Sequence, residues 1–266
     1  MTSKQFFMLS GLPRSGSQVL CSMLNQHPQM FASTTSPLAD LISLVGENWP
    51  VISQAIVDPN PNQYADILSG IIQGTYKHLD KPVVIDKNRL WPRFIPLIKQ
   101  ALSTRPKIVC TVRSIPDIMA SYLLLIEKNK HKITFIDQDL IDSGQIVNNK
   151  TRCKLLMEKY IGHPYTSLRM GYNNIDADLL FVEYADIVGN GQLTVDRICD
   201  FLSLDRYTLD SENLQAMDEN DAYHGGMEGL HHVRSVLAKA SPPPETVIGH
   251  DLVKLYTDMR LDFWRK

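Results

Sequence analysis

A chain of 266 residues with 44% hydrophobic and 21% charged side chains is long enough to bury a core without staples. Its formal charge of −2 argues against a polyanion-binding protein, so nucleic acid is not an expected partner and an anion site would have to be a local pocket. Cys21, Cys110, Cys153 and Cys199 stand far apart with no CxxC or paired His/Cys spacing, which points to reduced structural thiols and away from zinc.

In chain order, QFFMLS (5–10) reads as a buried strand, followed by a glycine turn and a helix from Ser17 to His27 stopped by Pro28. The run FFML is too short for a signal-peptide core or a membrane span, so a cytoplasmic protein with no membrane partner is expected. Residues 37–57 read as helical, and 60–79 as the clearest helix, with Tyr64, Ile67, Leu68, Ile71, Ile72 and Leu79 at helical spacing. PVVID (82–86) is a second strand, WPRFIPLIKQAL a helix with an early proline, and PKIVCTV (106–112) a third strand. Residues 114–128 form a helix with Ser114 as N-cap, and 131–175 are polar and partly helical. DADLLFVEY (176–184) is a fourth strand, TVDRICDFLSL and DLVKLYTDMRLDFW are amphipathic helices, and 241–250 is a proline-rich loop. Strands alternating with helices predict an α/β fold, a P-loop-like parallel sheet flanked by helices on both faces, as one domain over 1–266.

The stretch GLPRSGSQ (11–18) has the glycine spacing of a phosphate loop between a strand and a helix. Where a nucleotide hydrolase carries lysine and a magnesium-binding hydroxyl, it has Ser17 and Gln18. The backbone cradle at the helix start needs only the glycines, so an anion cradle remains, with Arg14 and the hydroxyls of Ser15 and Ser17 inside it and no metal ligand. The bland alternative is a tight strand-to-helix turn with no ligand.

PRSGS followed by VLCSMLNQHPQMF resembles the opening of the PAPS-dependent sulfotransferases, most of all the tyrosylprotein and Golgi-type carbohydrate enzymes. The resemblance implies that Arg14, Ser15, Gly16, Ser17 and Gln18 hold the 5′-phosphosulfate of 3′-phosphoadenosine 5′-phosphosulfate, with 3′,5′-ADP as product and no metal. VVIDKNRLW is similar to the strand-end segment carrying the transition-state lysine, which falls on Lys87. TVRSIPDIMASY is similar to the 3′-phosphate motif, an arginine and a serine eight residues later, here Arg113 and Ser121. FVEYADIV resembles the segment whose tyrosine lies near the adenine, here Tyr184. Lys87 and Arg14 are thus the expected catalytic residues.

Two departures qualify the resemblance. The glutamate that serves those relatives as general base would fall at Thr35 or Ser36, neither of them acidic. A base from elsewhere is expected, among Asp40, Asp86, His27, His224, His231 and His232; an acidic acceptor or binding without turnover are the alternatives. Leu125 stands where the tyrosylprotein enzymes have a further arginine, so the 3′ contact is expected to be thinner, or completed from 225–235 with His231, His232 and Arg234. The acceptor is a hydroxyl compound left open among sugar, tyrosyl and small molecule, and a homodimer is admitted. A P-loop small-molecule kinase and a non-catalytic nucleotide-binding protein are the rival functions.

Overall fold

The computed structural model describes residues 4–215, 227–237 and 242–265. Five parallel strands form one sheet: β1 (Gln5–Gly11), β2 (Met30–Ala32), β3 (Val83–Lys87), β4 (Lys107–Val112) and β5 (Asp178–Glu183), in the order β2-β3-β1-β4-β5. Alternate strand residues feed two separate cores. Met8, Val84, Ile108 and Cys110 join one, Leu9, Val83, Ile85 and Val109 the other, so both sheet faces are covered as the sequence predicts. All four cysteines are buried thiols.

The first core is closed by α2 (Leu38–Asn48) and α4 (Pro61–Thr75), then by α5 (Ile95–Leu102) and α6 (Ile115–Lys128), while the short α3 (Ser53–Val57) between α2 and α4 buries no side chain. Helices α7 (Phe135–Asp142), α8 (Asn149–Leu155) and α9 (Gly162–Tyr172) follow, with a π-helical turn over Leu156–Ile161. The second core lies under α1 (Ser17–Leu24), α10 (Tyr184–Gly189) and α11 (Gly191–Leu202). The chain ends with α12 (Pro244–Ile248) and α13 (His250–Asp258). Ser114 caps α6 as expected, its side chain accepting from the Asp117 N–H at 3.3 Å. Among the described residues no helix is long and apolar enough to cross a membrane.

Several expected boundaries move. Helix α1 stops at Leu24, because the Asn25 carboxamide turns back to exchange two 2.9 Å hydrogen bonds with the Ala32 backbone. That exchange pins β2, an edge strand whose three residues are too few to show a period in the sequence. Trp49–Pro50 breaks the 37–57 segment, and Asn60 caps α4, which ends at Thr75. The proline-rich loop contains α12, with Pro244 in its first turn, where the missing N–H costs nothing.

Candidate active site

The strand β1 and the helix α1 are joined by the loop 12–16, held from behind by β4. Gly11 lies beside Thr111 in the sheet, and a Cβ on it would come within 2.2 Å of the Thr111 hydroxyl, so glycine alone fits. The Leu12 N–H donates to the Thr111 carbonyl at 2.9 Å. Ser15 is fully buried, its hydroxyl donating to the Leu12 carbonyl at 2.6 Å and lying 2.7 Å from the Thr111 hydroxyl. The Ser15 hydroxyl therefore staples the loop to β4 and does not face the cradle, contrary to the sequence expectation. Arg14 (φ 57°) and Gly16 (φ 89°) turn the backbone through the left-handed region to enter α1.

Above this loop, at the C-terminal ends of β1, β3 and β4, lies a cavity of about 340 Å³. Open parallel sheets place their ligands at this end. Arg14, Lys87, Arg89, Arg113, Lys128 and Arg234 line it, and no Asp or Glu does so among the described residues. Of the other predicted residues Gly16, Ser17, Gln18, Ser121 and Tyr184 lie on its wall and Ser15 does not, and His231 and His232 join them.

The cations are held by specific contacts. Arg14 Nε donates to the Ser121 hydroxyl at 3.1 Å, and its Nη1 donates to the Leu230 carbonyl. Arg113, only 8% exposed, donates from Nη1 to the Arg14 carbonyl at 3.2 Å and lies 3.9 Å from the Asp117 carboxylate. Its guanidinium sits 4.2 Å from the centre of the Tyr184 ring. Burial lowers the pKa of both arginines, and in Arg14 the neighbouring Arg113 and Arg89 add to the effect. Arginine starts high enough to stay charged. Lys87 ends β3, and its backbone N–H donates to the Ser33 hydroxyl at 3.0 Å.

The candidate bases separate cleanly. His27 is buried at the far end of α1, one ring nitrogen 3.0 Å from the Asp205 carbonyl and the other accepting from the Gln29 N–H. Asp86 is buried as well, accepting from Trp91 Nε1 at 2.8 Å and from the Tyr76 hydroxyl, and burial raises its pKa. Asp40 is exposed on α2 and does not line the cavity. His231 and His232 do line it, while His224 lies outside the described residues. Thr35 is exposed and Ser36 half-buried, and neither lines the cavity.

Arg89 and Lys128 were missed from the sequence. Lys128 had a signal: it lies seven residues beyond Ser121, two helical turns along the same face of α6. Arg89 follows Lys87 by two positions in a loop, where no period reports direction.

A family model described as the sulfotransferase domain matches residues 4–223, and the chain belongs to the sulfotransferase family. This is the class of enzymes that move a sulfuryl group from PAPS to an acceptor, the activity the loop and its neighbours led us to expect. No curated protein matches the chain. Among solved structures it is similar to a sulfotransferase from Alicyclobacillus acidocaldarius, with a TM-score of 0.50 and 12% identity over 84% of this chain and 90% of that one. It is also similar to the sulfotransferase domain of the Synechococcus PCC 7002 olefin synthase, with a TM-score of 0.47 and 16% identity over 99% and 97% of the two chains. The first of these likenesses speaks for the fold; the family match carries the class.

Proposed function

We propose that the cavity is the PAPS site and that its residues act as follows. The carrying observation is six cations around a glycine loop, with no carboxylate lining the cavity among the described residues, in a protein whose formal charge is −2. Such a cavity is self-repulsive unless a polyanion fills it. The start of α1, with Gly16, Ser17 and Gln18, and the backbone at Ser15 take the 5′-phosphosulfate. Arg113 and Ser121 take the 3′-phosphate, and Tyr184 lies beside the adenine.

In the transfer an acceptor oxygen bonds to sulfur, the bond from sulfur to the 5′-phosphate oxygen breaks, and the acceptor proton leaves to a base. Negative charge grows on the departing oxygen, so catalysis is mostly positioning and electrostatic stabilisation. Arg14 and Lys87 supply that stabilisation. His231 and His232 are the basic groups of the expected set that line the cavity, and the proton is assigned to one of them.

The site works without a metal, because Gln18 occupies the position of the magnesium hydroxyl. The acceptor is a hydroxyl compound, sugar, tyrosyl or small molecule, entering between the loop and the helices of 37–79 and 131–175. The chain acts in the cytoplasm as one domain over 1–266, with a homodimer admitted, and its loop and strand-end motifs resemble those of the tyrosylprotein and Golgi-type enzymes. Calorimetric titration with 3′,5′-ADP in the presence of EDTA tests the cofactor, and labelled PAPS against an acceptor panel tests the transfer. Loss of binding on chelation would refute the metal-free reading.

A further inference from the structure

We propose that Lys128 supplies the ammonium that completes the 3′-phosphate end of the site, and that Gly229 leaves that ammonium its position. This rests on the PAPS reading above. Ser121 and Lys128 both line the cavity from α6, with Leu124 and Leu125 between them. Two turns separate their Cα atoms by about 10 Å along the axis. Helical side chains lean toward the N-terminus, so the lysine stem runs back over Leu125 toward Ser121. Lys128 is thus the single cation that α6 brings to the cavity.

The segment 227–237 lies across the end of α6 and is fastened there. Asn129, fully buried, donates to the Glu228 carbonyl at 3.2 Å and accepts from the Glu228 N–H at 2.9 Å. Its amide also donates to the Leu125 carbonyl at 2.9 Å. Arg14 holds the same segment through the Leu230 carbonyl. This clamp sets Gly229, at φ 82°, over the lysine: a Cβ built there would come within 3.2 Å of Lys128 Nζ.

The nearest acid on this segment is committed elsewhere. The Glu228 carboxylate lies 3.3 Å from Lys132 and 3.8 Å from His131. Among the described residues no carboxylate forms an ion pair with Lys128. A cation facing five others across one cavity, with no acid among the described residues lining it, is stabilised when an anion lies between them. The backbone clamp makes this end of the cavity a built wall with the ammonium at its rim.

The test is calorimetric binding of 3′,5′-ADP and of 5′-AMP to the wild type and to Lys128→Ala, Lys128→Arg and Gly229→Ala. Lys128→Ala is expected to weaken 3′,5′-ADP about tenfold or more and to leave 5′-AMP unchanged. Lys128→Arg should recover most of the loss. Gly229→Ala should also weaken 3′,5′-ADP, and its effect should shrink when alanine already stands at 128, because the crowded ammonium is gone. A wild type that prefers 3′,5′-ADP and keeps that whole preference in Lys128→Ala overturns the lysine assignment alone. Losses at 128 and 229 that simply add overturn the role of Gly229. A wild type with no preference between the two nucleotides overturns the PAPS reading itself.

Discussion

The Arg113 guanidinium stands 4.2 Å from the centre of the Tyr184 ring, joining the ends of the neighbouring strands β4 and β5. The ring in turn lies against Gly16, where a Cβ would meet it at 2.9 Å. One contact chain therefore links the glycine loop, Tyr184 and Arg113. A cation over an aromatic face contributes about 0.5–2 kcal/mol, which here fixes the direction of the guanidinium.

Arg113→Ala is accordingly expected to erase most of the preference for 3′,5′-ADP over 5′-AMP by weakening 3′,5′-ADP alone. A charge-assisted contact of roughly 1.5–3 kcal/mol corresponds to about tenfold to a few hundredfold in affinity. Arg113→Lys should restore part of it, since an ammonium lacks the planar fork. Calorimetry with both nucleotides checks this, and equal weakening of the two would make Arg113 a general structural residue.

Much of this chain was legible in the residues. The spacing of Gly11 and Gly16 after an apolar run located the loop, and Arg113 and Ser121 came from the resemblance of TVRSIPDIMASY to a family motif, both of them lining the cavity. The Ser15 hydroxyl was misjudged because a sequence does not record which side of a loop a side chain leaves from; that is decided by Thr111, 96 residues away. The strand β2 was missed because its pairing with β3 and the Asn25 carboxamide define it, not its own three residues. The base was open between acids and histidines in the sequence; His27 and Asp86 are buried away from the cavity wall, where His231 and His232 stand.

Gly16→Ala tests the loop's conformation. An alanine at φ 89° is strained, by roughly 1–2 kcal/mol for the left-handed region, and its methyl would displace the Tyr184 ring. The melting midpoint is expected to fall by about 2–4 °C in a scanning experiment. Affinity for 3′,5′-ADP should fall as well, because the displaced ring releases Arg113. Unchanged affinity in a destabilised variant would detach the loop from the Arg113–Tyr184 pair.

The buried Asp86 carboxyl predicts a pH dependence of stability. Burial raises its folded pKa above the unfolded value of about 3.9, so the folded state holds this proton more tightly. Its contribution is fully present below the unfolded value and is lost as pH rises through the folded one. The stability of the wild type minus that of Asp86→Asn should therefore decline as pH rises above about 4, measured by urea denaturation. A difference independent of pH would mean that the carboxyl does not titrate differently in the two states.

Lys87 is the sharpest test of the chemistry. It ends β3 directly beside Leu9, one residue from the buried Asp86 network, and lines the cavity. If its ammonium meets charge that develops only as the sulfur–oxygen bond breaks, it contributes little to the bound ground state. Lys87→Ala is then expected to lower kcat by a hundredfold or more, about 3 kcal/mol, while 3′,5′-ADP affinity changes only a few-fold. Lys87→Arg should retain part of the rate, since the charge is kept and its position altered. Steady-state kinetics with an identified acceptor, set beside calorimetry on the same preparations, separates the two quantities. Equal losses in turnover and in nucleotide binding would make Lys87 a ground-state phosphate ligand and leave Arg14 as the transition-state group.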